Sequence, residues 1–361
     1  MMSLPSLGQT HTLDKEDFYM ASSITEVVNV TIIRETSFIR EADLNTIAII
    51  SNNPTFTDTY RIYTNLDQVI DDGFDTDTFI YKAISTAFAQ DIRPKKVVVT
   101  GGEVATGEYV QKISDTRAAF NQFLFVITDA TADTDIEAIA AYVEAQELFY
   151  AFTVEDVLEK GELIQKLKTL GYVRTMVLFN ENTNETIPEA GWVGRFGSEQ
   201  AGSNTWVLKP VKGVLPSALT ELQKQFLQDN NVSWLDSYED DAVVSARAGK
   251  VSGGEWIDVM LGVQWITTRM REAVYNVLRN NRKVGMSNEG LAKIEAPIRQ
   301  VIERATSMGI LAASPQYTLV MPDILAMTPQ ERNSRKVTGI TFRARLEGAI
   351  HFVDIEGTVY P

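Results

Sequence analysis

Read from the amino terminus, the apolar positions first organise at residues 24–34 (ITEVVNVTIIR), where Val28, Val30 and Ile32 alternate with other residues. That period of two is the signature of a half-buried strand. A short apolar run at 45–51 (NTIAIIS) reads as a buried strand. From there the period switches back and forth. Residues 75–90, 108–120, 133–146 and 155–170 carry apolar side chains at helical spacing, and the short runs 96–100, 122–128, 148–153 and 174–179 between them read as strands. This alternation predicts an α/β layer on a partly parallel sheet. A further helix is expected over 188–200, with Pro188 suited to its first turn.

Around Trp206 the texture changes. Residues 205–208 predict a short strand, and Ser217 is placed to cap a helix reaching 228. Two strands follow at 232–238 and 242–248, joined by the acidic turn 239–241. Residues 255–281 predict a long amphipathic helix with Val259, Val263, Ile266, Met270, Val274 and Val277 on one side. A short helix at 287–295, a second opening at Pro297 and ending at Gly309, a strand at 317–321 and a polar connector at 322–336 complete the middle of this half.

The last stretch is the most informative. Ile340, Phe342, Ala344 and Leu346 alternate with Thr341, Arg343, Arg345 and Glu347, so one face is buried and one is wet. After Gly348, residues Ile350, Phe352, Val353 and Ile355 put apolar groups on both faces. A terminal strand of that kind needs cover from its own domain or from another chain. Strand-like segments at both ends suggest a subunit that lends strands to its neighbours. The expected organisation is α/β and α+β. It comprises an amino-terminal extension and strand arm (1–35), an α/β domain with a mixed sheet (36–204), a carboxy-terminal α+β domain (205–347) and a carboxy-terminal strand arm (348–361).

Composition narrows the chemistry. The 361 residues carry a net charge of −15 and no cysteine, which excludes disulfides, thiolate metal sites and a cysteine nucleophile. The charge argues against direct nucleic-acid binding. Basic clusters at 269–282 and 332–345 read as solvated helix and strand faces. No apolar run approaches the ~20 residues of a membrane span, and residues 1–14 lack a secretory-signal pattern, so no membrane insertion and a cytosolic place of synthesis are expected.

The two histidines, His11 and His351, offer no clustered metal spacing, and no G-x-S-x-G elbow is present. The glycine-containing segment 96–107 (KVVVTGGEVATG) lacks both phosphate-loop patterns, and Glu103 stands where a phosphate needs donors. Acidic pairs such as Asp133/Asp135 sit just ahead of predicted helices and read as caps. No catalytic, cofactor-binding or metal-binding set is therefore assigned. The alternative kept open at this point is an α/β enzyme in which Asp75, Asp77 and Asp133 converge on a metal.

The chain resembles the contractile tail sheath proteins of bacteriophages and their relatives in phage-tail-like particles. The matching succession is 205–220 (TWVLKPVKGVLPSALT), then 253–258 (GGEWID) leading into a long helix with Gln264, Trp265 and Arg269. The helical segment 287–309 and the closing 343–359 (RARLEGAIHFVDIEGTV) follow, and the first half fits through Arg93-Pro94-Lys95-Lys96 leading into a valine strand. The resemblance covers most of the chain in order, and the alternative beside it is another phage tail structural component, such as a tube or baseplate protein, which a predominantly β fold would favour.

It implies a structural subunit, not an enzyme, that stacks as rings in a helical homo-oligomer around an inner tail tube protein. Baseplate and tail terminator proteins would be further partners, assembly would occur in the host cytoplasm, and the mature location would be the virion tail sheath. Contraction would drive the tube through the host envelope during genome ejection without nucleotide hydrolysis. The resemblance further implies inter-subunit arms containing Val28, Val30, Ile32, Ile350, Phe352, Val353 and Ile355, and a receiving sheet with Ile340, Phe342, Ala344 and Leu346. The tube-facing surface would lie in the 205–347 domain, with Lys293, Arg299 and Arg304 as candidate tube contacts.

Overall fold

A computed structural model describes residues 41–237 and 244–356. Its centre is set by strands whose every residue is buried: β1 (Ile47–Ile50), β3 (Val97–Thr100) and β4 (Phe125–Thr128). Next to them lie β5 (Phe149–Val154) and β6 (Thr175–Phe179). Strands that are apolar on both sides require helices on both faces. The pleat sorts the side chains accordingly. Ile47 and Ile49 enter one core while Ala48 and Ile50 enter the other; Phe125 and Ile127 oppose Val126, and Met176 and Leu178 oppose Val177.

Six strands run parallel in the order β3-β1-β4-β5-β6-β7, where β7 is Ser233–Ser237. Antiparallel edge strands β2 (Tyr60–Tyr63) and β8 (Val244–Arg247) flank them, giving eight strands. The sheet therefore crosses the boundary expected at 204/205, because β7 and β8 extend it. The segment between is held in the core by Trp206, stacked on Phe196 at 5.4 Å and edge-on to Trp192 at 5.3 Å. The strand expected at 205–208 does not form. Leu208 adopts a left-handed φ of 61°, and the segment makes only separate backbone contacts to β8, such as Leu208 N to Ala246 O and Val211 N to Val244 O.

One face is covered by α3 (Tyr109–Ala119), α4 (Asp133–Gln146), α5 (Val157–Leu170) and α7 (Glu221–Asp229). The Asp156 carboxylate caps α5, and Thr220 with Gln223 forms a capping box on α7. The other face carries α2 (Phe79–Phe88), α6 (Pro188–Phe196) and the inner side of the long helix α8 (Ile257–Asn280). Helix α1 (Asp67–Asp71) and β2 went unanticipated. Both are short, and β2 is held partly by Arg61, which pairs with Asp58 and Asp72.

Helix α9 (Asn288–Ser307) packs on α8 and is continuous, with Pro297 inside it. The expectation of two helices split at that proline is corrected. Leu291 precedes the proline and Ile298, Val301, Ile302 and Ala305 follow it on one buried seam, which holds a single helix despite the lost backbone donor. The remaining described elements are β9 (Thr318–Val320), a 3₁₀ turn (Ile324–Ala326), α10 (Pro329–Asn333) and β10 (Thr341–Arg343). The connector expected at 322–336 thus contains two short helical pieces.

Helices α2 and α6 cross where Gly194 meets Ala87. A Cβ at position 194 would stand 2.9 Å from Ala87 Cα and 3.1 Å from its carbonyl oxygen. Gly194→Ala gains about 1 kcal/mol of helix propensity but must displace backbone, an overpacking cost of about 1–3 kcal/mol. A net loss of stability is expected, read as a lower urea midpoint at unchanged m-value; a rise would show that the two helices can move apart freely.

Candidate assembly surfaces

The first place to look for chemistry in such a sheet is its carboxyl edge, at the point where strand order reverses. Here that point lies between β1 and β4. It is filled from within: Asp129 accepts hydrogen bonds from Ser51 Oγ at 2.6 Å, Asn52 N at 3.1 Å and Tyr109 OH at 2.7 Å. Burial and the adjoining Asp129 carboxylate push the Tyr109 hydroxyl well above its usual range. The acidic candidates do not converge. Asp133 begins α4 and pairs with Lys160 at 2.6 Å, whereas Asp75 and Asp77 precede α2, which covers the other face. Among the described residues no group of three or more His, Asp and Glu side chains is placed to hold a metal.

Two buried carboxyls stand at this edge, Asp135, which accepts a hydrogen bond from Gly107 N at 2.7 Å, and Glu189. Glu189, in the first turn of α6, is 5% exposed and accepts a short hydrogen bond from Thr153 Oγ1. Burial raises its pKa to about 7, only partly offset by that bond.

The surfaces that stand out lie elsewhere. Strands β9 and β10 form an antiparallel ribbon with Phe342 opposite Leu319. Ile340 and Ala344 pack toward the core, while Phe342 and Leu346 are 39% and 38% exposed. Backbone bonds from Ala312 N to Arg345 O (2.8 Å) and from Glu347 N to Ile310 O (3.0 Å) tie the chain after β10 to the end of α9. Between this chain and α8 runs a groove of about 440 Å³, lined by Val263, Ile266, Met270, Leu311, Phe342 and Leu346.

Among the described residues past Gly348, His351 is bonded to the body of the fold. His351 Nε2 lies 2.7 Å from Thr205 Oγ1, and its ring meets Trp256 edge-on at 4.5 Å. Lys250 Nζ covers the same indole at 5.1 Å. Around this anchor Ile350, Phe352, Val353 and Ile355 are 70–89% exposed. Residues 348–356 pair with no strand among the described residues. An extended run acquires a ladder only from a partner strand, and none of the described strands offers one here. Val28, Val30 and Ile32 lie outside the described residues, as does 357–361.

Of the charged candidates on α9, Lys293 is exposed. Arg299 pairs with Glu295 at 2.5 Å and reaches Tyr317 OH at 3.4 Å. Arg304 bonds Glu41 at 2.9 Å and stacks over Trp265 at 5.3 Å, and it holds the Glu41 carboxyl below the usual range. A cluster that went unread in the sequence adjoins it. Ala42 N donates to Glu272 Oε1 at 2.7 Å, Arg269 donates to Ala42 O at 3.1 Å, and Arg269 pairs with Glu272 at 2.7 Å. The only sequence signal for it is an Arg–Glu pair three residues apart on a helix, which usually marks a solvated face.

The sequence matches no protein-family model and no curated protein. Solved structures do match. A chain of the anti-feeding prophage baseplate aligns with TM-score 0.69 and 14% identity, over 94% of this chain and 99% of that one. The anti-feeding prophage helical sheath in its contracted state aligns with TM-score 0.67 and 14% identity, over 96% and 99%. A sheath tail protein from Listeria innocua aligns with TM-score 0.55 and 9% identity, over 78% and 89%. The chain has the mixed α/β fold of contractile sheath proteins, as the resemblance implied.

Glu189 yields a pH dependence with a definite sign. Its pKa is about 7 in the fold against 4.5 in the open chain, so the folded state holds the extra proton between those values. Its contribution to stability is full below pH 4.5 and is lost as pH rises through 7, by about 1–3 kcal/mol. Glu189→Gln should flatten the urea midpoint between pH 5 and pH 8 and raise it at pH 8; an unchanged slope would mean that Glu189 ionises freely in the fold.

Proposed function

We propose that this chain is the structural subunit of a contractile sheath. Copies polymerise helically around an inner tube, exchange terminal strands with their neighbours, and shorten together to drive the tube through an envelope. The observation that carries the reading is the juxtaposition at the carboxyl end of a sheath fold: four exposed apolar residues at 350–355 follow a ribbon whose outer edges meet no other described strand. Strand addition satisfies both at once, since one copy's unpaired run supplies the ladder that another's edge lacks. A contact that is heterologous and does not close builds a helical tube.

In this reading residues 1–35 and 348–361 are the arms, and β10 with Ile340, Phe342, Ala344 and Leu346 belongs to the receiving sheet. The region after residue 205 faces the tube. Of the three candidate tube contacts Lys293 is exposed, whereas Arg299 and Arg304 also serve ion pairs within the chain. The inner tube protein, a baseplate and a tail terminator are its partners, and assembly precedes release from the host cytoplasm. The subunit is not an enzyme in this account: contraction draws on the difference in contact energy between two lattices and consumes no nucleotide. The filled switch point and the divergence of Asp75, Asp77 and Asp133 support that part of the reading.

Purified full-length protein, concentrated and viewed by negative-stain electron microscopy, should form hollow striated tubes. A 348–361 deletion and the double variant Phe352→Asp/Ile355→Asp should keep the far-UV circular dichroism of the parent while losing the tubes. Normal tubes from both variants would refute strand donation by this arm.

A further inference from the structure

Both described ends of the chain are fastened to the same helix. At its start, Trp256, the residue that caps α8, meets the ring of His351, which Thr205 Oγ1 also holds at 2.7 Å. Thirteen residues further along, Arg269 and Glu272 grip the backbone of Ala42 from both sides: the carboxylate takes its N–H and the guanidinium its carbonyl. The grip is not a loose surface pair. The Arg269 and Glu272 side chains are 11% and 16% exposed, and they bond to each other at 2.7 Å. Glu41 adds a second layer, pairing with Arg269 at 3.5 Å and Arg304 at 2.9 Å, while Arg269 and Arg304 both lie over Trp265.

Side-chain groups that mimic a strand's ladder bonds on one isolated residue are costly to arrange, because two long side chains must be ordered and partly desolvated. The body of the fold gives no reason for that cost at Ala42, since β1 begins only at Ile47 and has its own neighbours on both sides. What Ala42 does have is position: the covalent chain of residues 1–40 ends two residues before it. His351 is placed alike, next to the exposed run Phe352, Val353 and Ile355. Between the two anchors α8 is bolted to the amino edge of the sheet. Arg174 donates to Gln264 at 2.8 Å, and Arg271 forms a bidentate pair with Glu147 at 2.5 and 2.8 Å. The anchors stand about 20 Å apart along the helix axis.

We propose that α8 is the tension member of the subunit: Arg269 with Glu272, and Trp256 with Thr205, are positioning residues that fix the roots of the two arms. A pull on one chain end then passes to the other along one hydrogen-bonded helix, which its bonds to the amino edge of the sheet hold in place. This rests on the sheath reading above.

The test uses full-length protein carrying Arg269→Met/Glu272→Leu at one root or Thr205→Val/His351→Leu at the other, with Glu272→Gln as the conservative variant. Glutamine keeps an acceptor for Ala42 N. Amide exchange followed by mass spectrometry should be accelerated roughly tenfold or more at residues 42–45 in the first variant, and limited proteolysis within 349–356 should be accelerated several-fold in the second, with exchange in the β4–β6 core unchanged. Tubes formed by these two variants should be several-fold shorter than those of the parent, while Glu272→Gln stays within about twofold on both readouts. Variants that loosen their root yet form tubes of parental length overturn the proposal and leave the sheath reading standing. Unchanged exchange at the first root together with unchanged proteolysis at the second overturns it too, since the anchors would then hold nothing. A parent that forms no tubes under any condition removes the sheath reading, and the proposal with it.

Discussion

The burial of both faces of the sheet is the constraint from which the rest of this molecule follows. Strands that are buried at every position must be covered twice over, and the chain meets that demand with helices on each side and with Trp206 and Trp192 drawn into one of the two cores. This commits most of the described apolar residues before position 200 to packing. It also leaves the switch point, the customary ligand crevice of such sheets, occupied by the bonds of Asp129 to Ser51, Asn52 and Tyr109. What remains for function is the periphery: the ribbon, the groove beside α8 and the two chain ends.

Much of the α/β layer was legible because its strands and helices are local in their signals. The helix expected over 133–146 spans those same residues, and the valine run at 96–100 is buried along its length from Val97 to Thr100. The failures have a common physical origin in tertiary packing. Residues 205–208 carry strand composition, but Trp206 is drawn into the core and Leu208 turns left-handed, which interrupts any ladder. Pro297 ends most helices, yet a continuous buried seam outweighs one missing donor. The boundary at 204/205 reflected a true change of texture along the chain, but β7 and β8 return to the same sheet.

The surfaces were legible only as patterns. Alternation marked 340–346 and the two-faced run 350–355 marked exposure, since both are properties of neighbouring residues. The grip on Ala42 was invisible, because its partners are more than two hundred positions away and an Arg–Glu pair on a helix looks like any solvated pair. Contacts of that separation leave no periodic trace.

The exposed run at 350–355 also bears on what the subunits do before they meet a partner. A bare, strand-prone apolar segment is a hazard for any protein made in quantity. The same molecule carries a net charge of −15, so copies approaching in free solution repel one another. At physiological ionic strength that repulsion fades beyond about 8 Å, too short a range to prevent a contact once a surface has brought copies side by side. In the proposed sheath that balance favours slow spontaneous nucleation and fast growth from a template, which delivers one ordered polymer in place of many random aggregates.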